Sequence, residues 1–491
     1  MRIDEQILIG GGILLLAVVS AVATRRLRFP LLITFLGLGM VLGSEGLGGI
    51  YFDDVQLARS IGIVGLIAIL FEGGLTTEWR DLRPVAVPAA LLGTLGVLIT
   101  AGVTGAAAYA LFDLTWSKSL LLGAVVGSTD AAAVFATLRF TRLRRRLATL
   151  LAAESGANDP MAVALTIGLI SWVEHPTYGL DDIAILLVRQ LGLGLVIGVA
   201  IGYAASKLFP RMPTDLAPFA PVASIGIAAV SYGIAASVHG SGFLAVYIVA
   251  LWLGNTEMPL QRTIVIFHEG LAFLAQVVLF IVLGLLVFPK QLGPVAWSAL
   301  ALTAVLVLVA RPLAVVLSMA PFRYRVREQV FLSWAGLRGA VPIVLATFAL
   351  SADVAGSNTI FNAVFFVVLV STIVQGMTLE PFARRLGLTT EERPFYDPPV
   401  EVVAIRALGG DIVDHEIADG DAVVGMAVRD LGLPKSATLM LIVRDATGIP
   451  PNGSTVIHAH DRLYIMIRGD ARADVEAVVS RWESAPHAPK R

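Results

Sequence analysis

Between residues 5 and 380 the chain is a succession of apolar segments separated by short polar connections. A transmembrane helix needs about 20 apolar residues, and hydropathy divides this stretch into thirteen segments: 5–24, 30–46, 57–75, 85–111, 118–139, 148–172, 183–208, 218–238, 242–254, 262–288, 292–318, 327–350 and 359–380. Lipid offers the backbone no hydrogen-bond partner, so segments of this length must satisfy their own N–H and C=O groups and read as helices. Composition agrees. Of 491 residues 56% are hydrophobic and 15% charged, against about 25% charged in a soluble domain, and mean hydropathy is +0.80. The first segment lacks a small-residue cleavage site and reads as a span, not a removed signal peptide. A net charge of −1 argues against nucleic acid as a partner. The absence of cysteine excludes disulfides, iron–sulfur clusters and thiolate metal sites.

Arginines orient these spans, because short cytoplasmic loops collect Lys and Arg. The odd connections carry Arg25, Arg26 and Arg28, then Arg80 and Arg83, then Arg142, Arg144, Arg145 and Arg146; Lys207 and Arg211, Arg262, and Arg323, Arg325 and Arg327 continue the series. Even connections such as "EHPTYGLDD" and "SADVAGSN" are acidic or neutral. The parity predicts an N-terminus outside and a C-terminus in the cytoplasm of a multi-pass plasma (inner) membrane protein. The cluster from Arg142 to Arg146 reads as an orientation signal first and a lipid-headgroup site second.

Thirteen spans divide as six, one and six, and the seventh inverts the second half, the inverted-repeat plan of many secondary transporters. That plan demands matching interruptions. The fifth span contains "GAVVGSTDAAAVF" and the twelfth, fifth of its own half, "SWAGLRGAVPIVL". In the first, Ser128, Thr129 and Asp130 read as cap residues introducing a new helix. In the second, Gly336, Gly339 and Pro342 weaken the helix around Arg338. The expected fold is therefore an all-α polytopic membrane protein of thirteen helices, with two crossed discontinuous helices, the fifth and twelfth.

Charges inside apolar spans cost about 2.5 to 3.5 kcal/mol on insertion scales and face a protein interior or an aqueous cavity. Asp130, Glu154, Asp159 and Arg338 thus need one another or an ion. Glu154 and Asn158 share a helix face four residues apart, and Asp159 lies about 100° around from Asn158. Pro160 cannot donate to the Gly156 carbonyl, so the sixth span offers carboxylate, amide and carbonyl oxygen together. Such oxygens suit an alkali cation or a proton, and the imidazoles and thiolates of zinc or copper sites are missing. A carboxylate that binds a cation or a proton, but never both, couples their movements. Against this stands a purely structural Glu154–Arg338 ion pair, and Asp130 acting only as a helix cap. One Arg cannot neutralise three acids, which leaves Asp159 available.

Other charged positions read more blandly. Glu72 sits at a span end, as an interfacial or capping residue. His239 reads as a solvated loop histidine. His268 and Glu269 read as an interfacial pair, with pH sensing as the alternative. The glycines of "LGLGLVIGVAIGYAASKLF" suit close helix packing, within a protomer or at a dimer seam.

"GSTDAAAVF", "ESGANDPMAV" and "GLRGAVPIVLA", in this order and on matching spans, resemble NhaP-type monovalent cation/proton antiporters of the cation:proton antiporter 1 family, most closely the potassium/proton branch. The resemblance covers roughly residues 5–385. It implies that Asp159 exchanges cation for proton, with Glu154, Ser155, Thr129 and Asp130 completing the ion site directly or through water. It also implies that Asn158 supports the crossing half-helices, that Arg338 pairs with Glu154, and that the protein is a homodimer. The Asn158–Asp159 pair resembles the electroneutral class. Ala131 stands where many sodium-exchanging relatives have proline, which weakens transfer of sodium specificity.

After Arg385 the composition changes. Residues 386–400 read as a linker and 401–485 as a small cytoplasmic α/β or α+β domain, with a tail at 486–491. "EVVAIRAL", "ATLMLIVRD" and "DRLYIMIRGD" read as strands and "DARADVEAVVSRW" as a helix. The domain resembles the C-terminal lobe of regulator-of-potassium-conductance (TrkA-C type) domains, some of which bind regulators, cyclic di-nucleotides among them; no resident cofactor is expected. The linker is too short to hold the nucleotide-binding lobe that often precedes such domains. No GxGxxG follows a strand, and neither GxxxxGK[ST] nor HExxH occurs, so an enzyme is not expected. The expected function is electroneutral exchange of K+, Na+ or both for H+. The alternatives are a strict Na+/H+ exchanger and a cation channel gated by the lobe, though no TVGYG-like filter is present.

Overall fold

A computed structural model describes residues 3–27, 30–138, 142–175, 177–212, 218–256, 261–390, 410–444, 447–468 and 472–484. The chain forms two compact units, Met1–Glu392 and Arg393–Arg491. In the first, helices occupy the apolar segments: α1 Ile3–Leu27, α2 Leu31–Leu42, α3 Val55–Leu75, a short α4 Trp79–Leu82, and α5 Ala86–Leu111. Next come α6 Trp116–Val125, α7 Ala131–Thr137, α8 Arg145–Glu174, α9 Leu180–Leu208, α10 Ala220–Ser237, α11 Gly242–Gly254 and α12 Gln261–Leu285. The series ends with α13 Ala296–Val305, α14 Arg311–Met319, α15 Val326–Trp334, α16 Ala340–Ser351 and α17 Ser357–Arg385. Seven helical segments among the described residues are long and apolar enough to cross a membrane, and several shorter ones are apolar. The unit is a multi-pass membrane domain.

Three of the apolar segments are not single regular helices. The fifth breaks at residues 126–130 between α6 and α7, and the twelfth at 335–339 between α15 and α16. The eleventh bends through a π-helical turn, Leu306–Ala310, joining α13 to α14. By contrast α8 runs unbroken through Pro160. It packs against α5 and α6, while α9 packs on α11. At that last contact a Cβ on Gly198 would lie 2.9 Å from Ile248 Cβ, so this glycine works inside the protomer. An antiparallel ribbon of β1 Arg142–Leu143 and β2 Thr389–Thr390 ties the connection before α8 to the chain after α17. The expected linker, 386–400, therefore contains a paired strand at 389–390; its residues 391–400 lie outside the described residues, as does the strand expected at 401–408.

The second unit is a four-stranded antiparallel sheet, order β3-β6-β4-β5, built from β3 Gly410–Glu416, β4 Ala437–Arg444, β5 Thr447–Ile449 and β6 Arg462–Arg468. The apolar runs of β4 and β6 are where the sequence predicts strands; β3 and β5 are too polar or too short to announce themselves. Helix α18, Arg472–Ser484, contributes Val475, Val478 and Trp482 to a core with Leu439, Ile442, Leu463, Ile465 and Ile467. Asp461, at the start of β6, is fully buried. It accepts two hydrogen bonds from Arg444, both at 2.7 Å, and one from the His458 N–H at 2.7 Å. Burial pushes the Asp461 carboxyl up, but these partners outweigh that and hold it below the usual carboxylate range. Its contribution is therefore complete above the unfolded carboxyl pKa of about 3.9 and is lost as pH falls through the depressed folded value. Asp461→Ala is expected to destabilise this unit by about 2–4 kcal/mol at pH 7. The measurable outcome is faster amide exchange across β4 and β6, with the difference shrinking below about pH 4.

Candidate ion-binding site

The two helix breaks meet. The Asp130 N–H donates to Leu337 O at 2.8 Å. Arg338 Nη1 donates to Gly127 O at 2.6 Å and also to Ser128 O. The last carbonyls of a helix have no partner of their own and carry the negative end of its dipole. Arg338 supplies both hydrogens and charge just beyond the end of α6. Asp130 is the N-cap of α7, its Oδ1 accepting the Ala133 N–H at 3.1 Å. A Cβ on Gly339 would overlap the Asp130 carboxylate, so glycine at this place in "GLRGA" makes room for the acid.

The expected Glu154–Arg338 pair does not form. Glu154, 1% exposed, is held in a fork by Arg311, with Nη1 to Oε1 at 2.6 Å and Nη2 to Oε2 at 2.9 Å. Arg338 is spent on carbonyls, and Arg311 arrives from α14 directly after the π-helical turn. Such turns insert one extra residue and rotate whatever follows. Gly336 gives Arg311 space, since a Cβ there would lie 2.7 Å from its Nε. Sequence reasoning missed Arg311. The signal was present as a lone arginine inside "AVLVLVARPLAVVL", but nothing in the pattern shows which of two buried arginines reaches the acid.

Thr129 knits the rest of the cluster. Its hydroxyl donates to Glu154 Oε1 at 3.2 Å, and Asn158 Nδ2 reaches that hydroxyl at 2.5 Å and the Thr129 carbonyl at 3.3 Å. Ser155 Oγ donates to the same carbonyl at 3.2 Å. Asp159 is different. It is 6% exposed, and its Oδ1 has no hydrogen-bond partner among the described residues. A carboxylate buried without partners carries a large desolvation cost unless a proton or cation neutralises it.

Asp159, Asp130 and Ser155 line a cavity of about 530 Å³, which extends past Glu72 to Glu78 and Asp81 in the connection after α3. Thr129, Glu154 and Asn158 do not line it. The site residues thus separate into a wall facing the cavity and a hydrogen-bonded layer behind it. Five carboxylates and no Lys, Arg or His occur among the described residues lining the cavity. Glu72 is therefore a cavity residue, contrary to the interfacial or capping reading. His268 is buried with Ser224 Oγ 2.8 Å from its Nε2, whereas Glu269 is exposed, so these two do not form the expected interfacial pair. His239 is exposed, as expected. No group of three or more His, Cys, Asp and Glu suited to a resident metal occurs among the described residues.

Residues 13–385 match the transmembrane sodium/hydrogen exchanger family and residues 412–480 the TrkA-C domain. The chain is 38% identical to the K(+)/H(+) antiporter NhaP of Alkalimonas amylolytica, over 98% of this chain and 84% of that one. It is 36% identical to K(+)/H(+) antiporter NhaP2 of Shewanella sp. (strain ANA-3), over 99% and 84%. The sodium proton antiporter MjNhaP1 of Methanocaldococcus jannaschii, solved at pH 8, superposes with a TM-score of 0.70 at 25% identity, covering 79% of this chain and 99% of that one.

Removing one partner of a buried ion pair leaves an uncompensated charge. Arg311→Ala is expected to lower stability by about 3–5 kcal/mol, and Arg311→Ala combined with Glu154→Gln by less. Thermal unfolding of the purified protein in detergent reads the difference.

Proposed function

The chain belongs to the sodium/hydrogen exchanger family, and on that premise we propose that it is an electroneutral antiporter exchanging K+, Na+ or both for H+ across the plasma membrane by alternating access. The observation that carries this reading is Asp159: a buried carboxylate with no ion pair among the described residues, on the wall of a cavity whose charged described lining residues are all acids. The relatives named as K(+)/H(+) antiporters are 36–38% identical over nearly the whole chain, whereas the Na(+)/H(+) antiporter NhaH of Halobacillus aidingensis is 27% identical over 77% of it. That difference favours K+ as the main cation.

The charges at the two helix breaks set the stoichiometry in this reading, with Glu72 set apart on α3. Asp130, Glu154 and Asp159 oppose Arg311 and Arg338 and leave one net negative charge. One proton or one monovalent cation on Asp159 cancels it. Low dielectric penalises the uncompensated state, so the core is free to move when loaded with either ion and resists moving when empty. Two loaded states of equal charge make the exchange electroneutral. Ser155 and Asp130, on the same wall, would supply further oxygen ligands to the dehydrated cation, while Thr129 and Asn158 orient the break behind it.

In this reading the helices make thirteen spans, with the two broken helices crossing where Asp130 meets Leu337. The N-terminus lies outside and the C-terminus in the cytoplasm. The cavity then opens to the cytoplasm, because Glu78 and Asp81 sit in a connection carrying Arg80 and Arg83. The domain division is 1–385 for transport, 386–400 as linker, 401–485 as regulatory lobe and 486–491 as tail. Regulation belongs to the TrkA-C-like lobe, through a cyclic di-nucleotide or another small regulator, and the family resemblance supports a homodimer.

Everted vesicles carrying a pH dye test the reading when K+, Na+ and Li+ are added in turn. Wild type is expected to respond to K+ at a rate that an imposed membrane potential leaves unchanged. Asp159→Asn is expected to abolish proton movement, a loss of at least about 100-fold, comparable to removing one essential charge interaction of about 2.7 kcal/mol or more. Exchange retained in Asp159→Asn would overturn the coupling role.

A further inference from the structure

Arg145, the first residue of α8, pairs with Asp81 and, at 3.1 Å, with Glu78. Both acids line the cavity that reaches Asp159, but Arg145 does not. Arg145 and Glu78 are 68% and 67% exposed and Asp81 is 22% exposed. Exposed pairs of this kind hold weakly and exchange with solvent ions. Among the described side chains, the other charges on the neighbouring elements are Arg80 and Arg83, which are exposed and off the cavity lining, Glu72 deeper in, and Arg144 and Arg146. Arg144 donates to Gly387 O at 3.1 Å, and Arg146 lies 4.3 Å over the Tyr324 ring. Among the described side chains, Arg145 is thus the cation that faces the two acids of the mouth.

We propose that Arg145 is a charge-setting residue of the transport path: by partly cancelling Glu78 and Asp81 it fixes the local concentration of monovalent cations at the cavity mouth, and so the apparent KM. The inference rests on the cavity being the cytoplasmic ion path. Its signature follows from charge alone. A more negative mouth enriches K+ and H+ by the same Boltzmann factor. Where proton competition is weak, that factor lowers the KM for K+ directly. At acid pH, where protons compete for Asp159, equal enrichment of both ions leaves the KM unchanged. A structural disturbance of the mouth has no reason to produce that pH pattern.

The test is K+ titration in everted vesicles, whose outer face is the cytoplasmic one. In low salt at alkaline pH, Arg145→Gln is expected to lower KM about two- to fivefold with kcat unchanged. The effect should vanish at acid pH, and also in about 0.3 M choline chloride, where the Debye length is a few ångströms. Arg145→Lys is expected to stay near wild type, and Glu78→Gln to raise KM with the same salt dependence, which keeps the test open if Arg145→Gln fails to insert. An unchanged KM in low salt, or a change that persists in choline chloride or at acid pH, overturns the inference. Failure of the ion-path reading would appear separately, as exchange that survives Asp159→Asn.

Discussion

The guanidinium of Arg311 and the carboxylate of Glu154 meet in a two-pronged contact almost wholly out of solvent, and the rest of the transport core depends on that contact. Bidentate geometry offsets the desolvation of both ions in a way a single hydrogen bond would not. With Glu154 committed and Arg338 anchored to carbonyls, Asp159 has no cation of its own among the described residues. The pair also joins α8 to α14, so the helix carrying Asp159 is tied to a helix from the second half of the chain. Thr129 extends the tie to the break before α7, and Asn158 holds Thr129 in turn.

Two glycines make this arrangement sterically available. The break between α15 and α16 is close to both Arg311 and Asp130, and a side chain at Gly336 or Gly339 would occupy the space of one or the other. Pro342 follows at the start of α16, where an absent N–H costs nothing. The motif "GLRGAVP" therefore combines two clearances, one charge and one helix start. Its guanidinium donates not to a carboxylate but to the buried carbonyls beyond α6, where a backbone break within lipid depth would otherwise leave acceptors unsatisfied.

Much of the fold was legible because lipid is a demanding solvent: apolar runs of span length have few options, and a charge within one must be accounted for whatever its partner. The same reasoning singles out Asp130, Glu154 and Asp159 as acids that need a partner, and the structure places all three near the two breaks. It failed where the answer depends on rotation about a helix axis. Arg311 and Arg338 both lie within apolar segments, and the π-helical turn before Arg311 shifts its direction without any compositional mark. Glu72 and His268 failed for the same reason. Position along the helix suggests an interfacial or capping role for Glu72 and an interfacial pair or pH sensor for His268, whereas the faces they occupy look into the cavity and toward Ser224.

In the C-terminal unit the two central strands carry enough apolar alternation to be read directly, while β3 and β5 owe their existence to pairing along edges that only the folded sheet supplies. The sequence by itself determined that this protein lives in a membrane, that two of its apolar segments break, and that acids gather beside one break. Solvation decides these things, and solvation is a property of composition along the chain. Only the tertiary structure decided which arginine takes Glu154, and hence that Asp159 Oδ1 has no partner among the described residues. Which charges cancel is a matter of distances of a few ångströms between helices far apart in sequence, and those distances are set by packing.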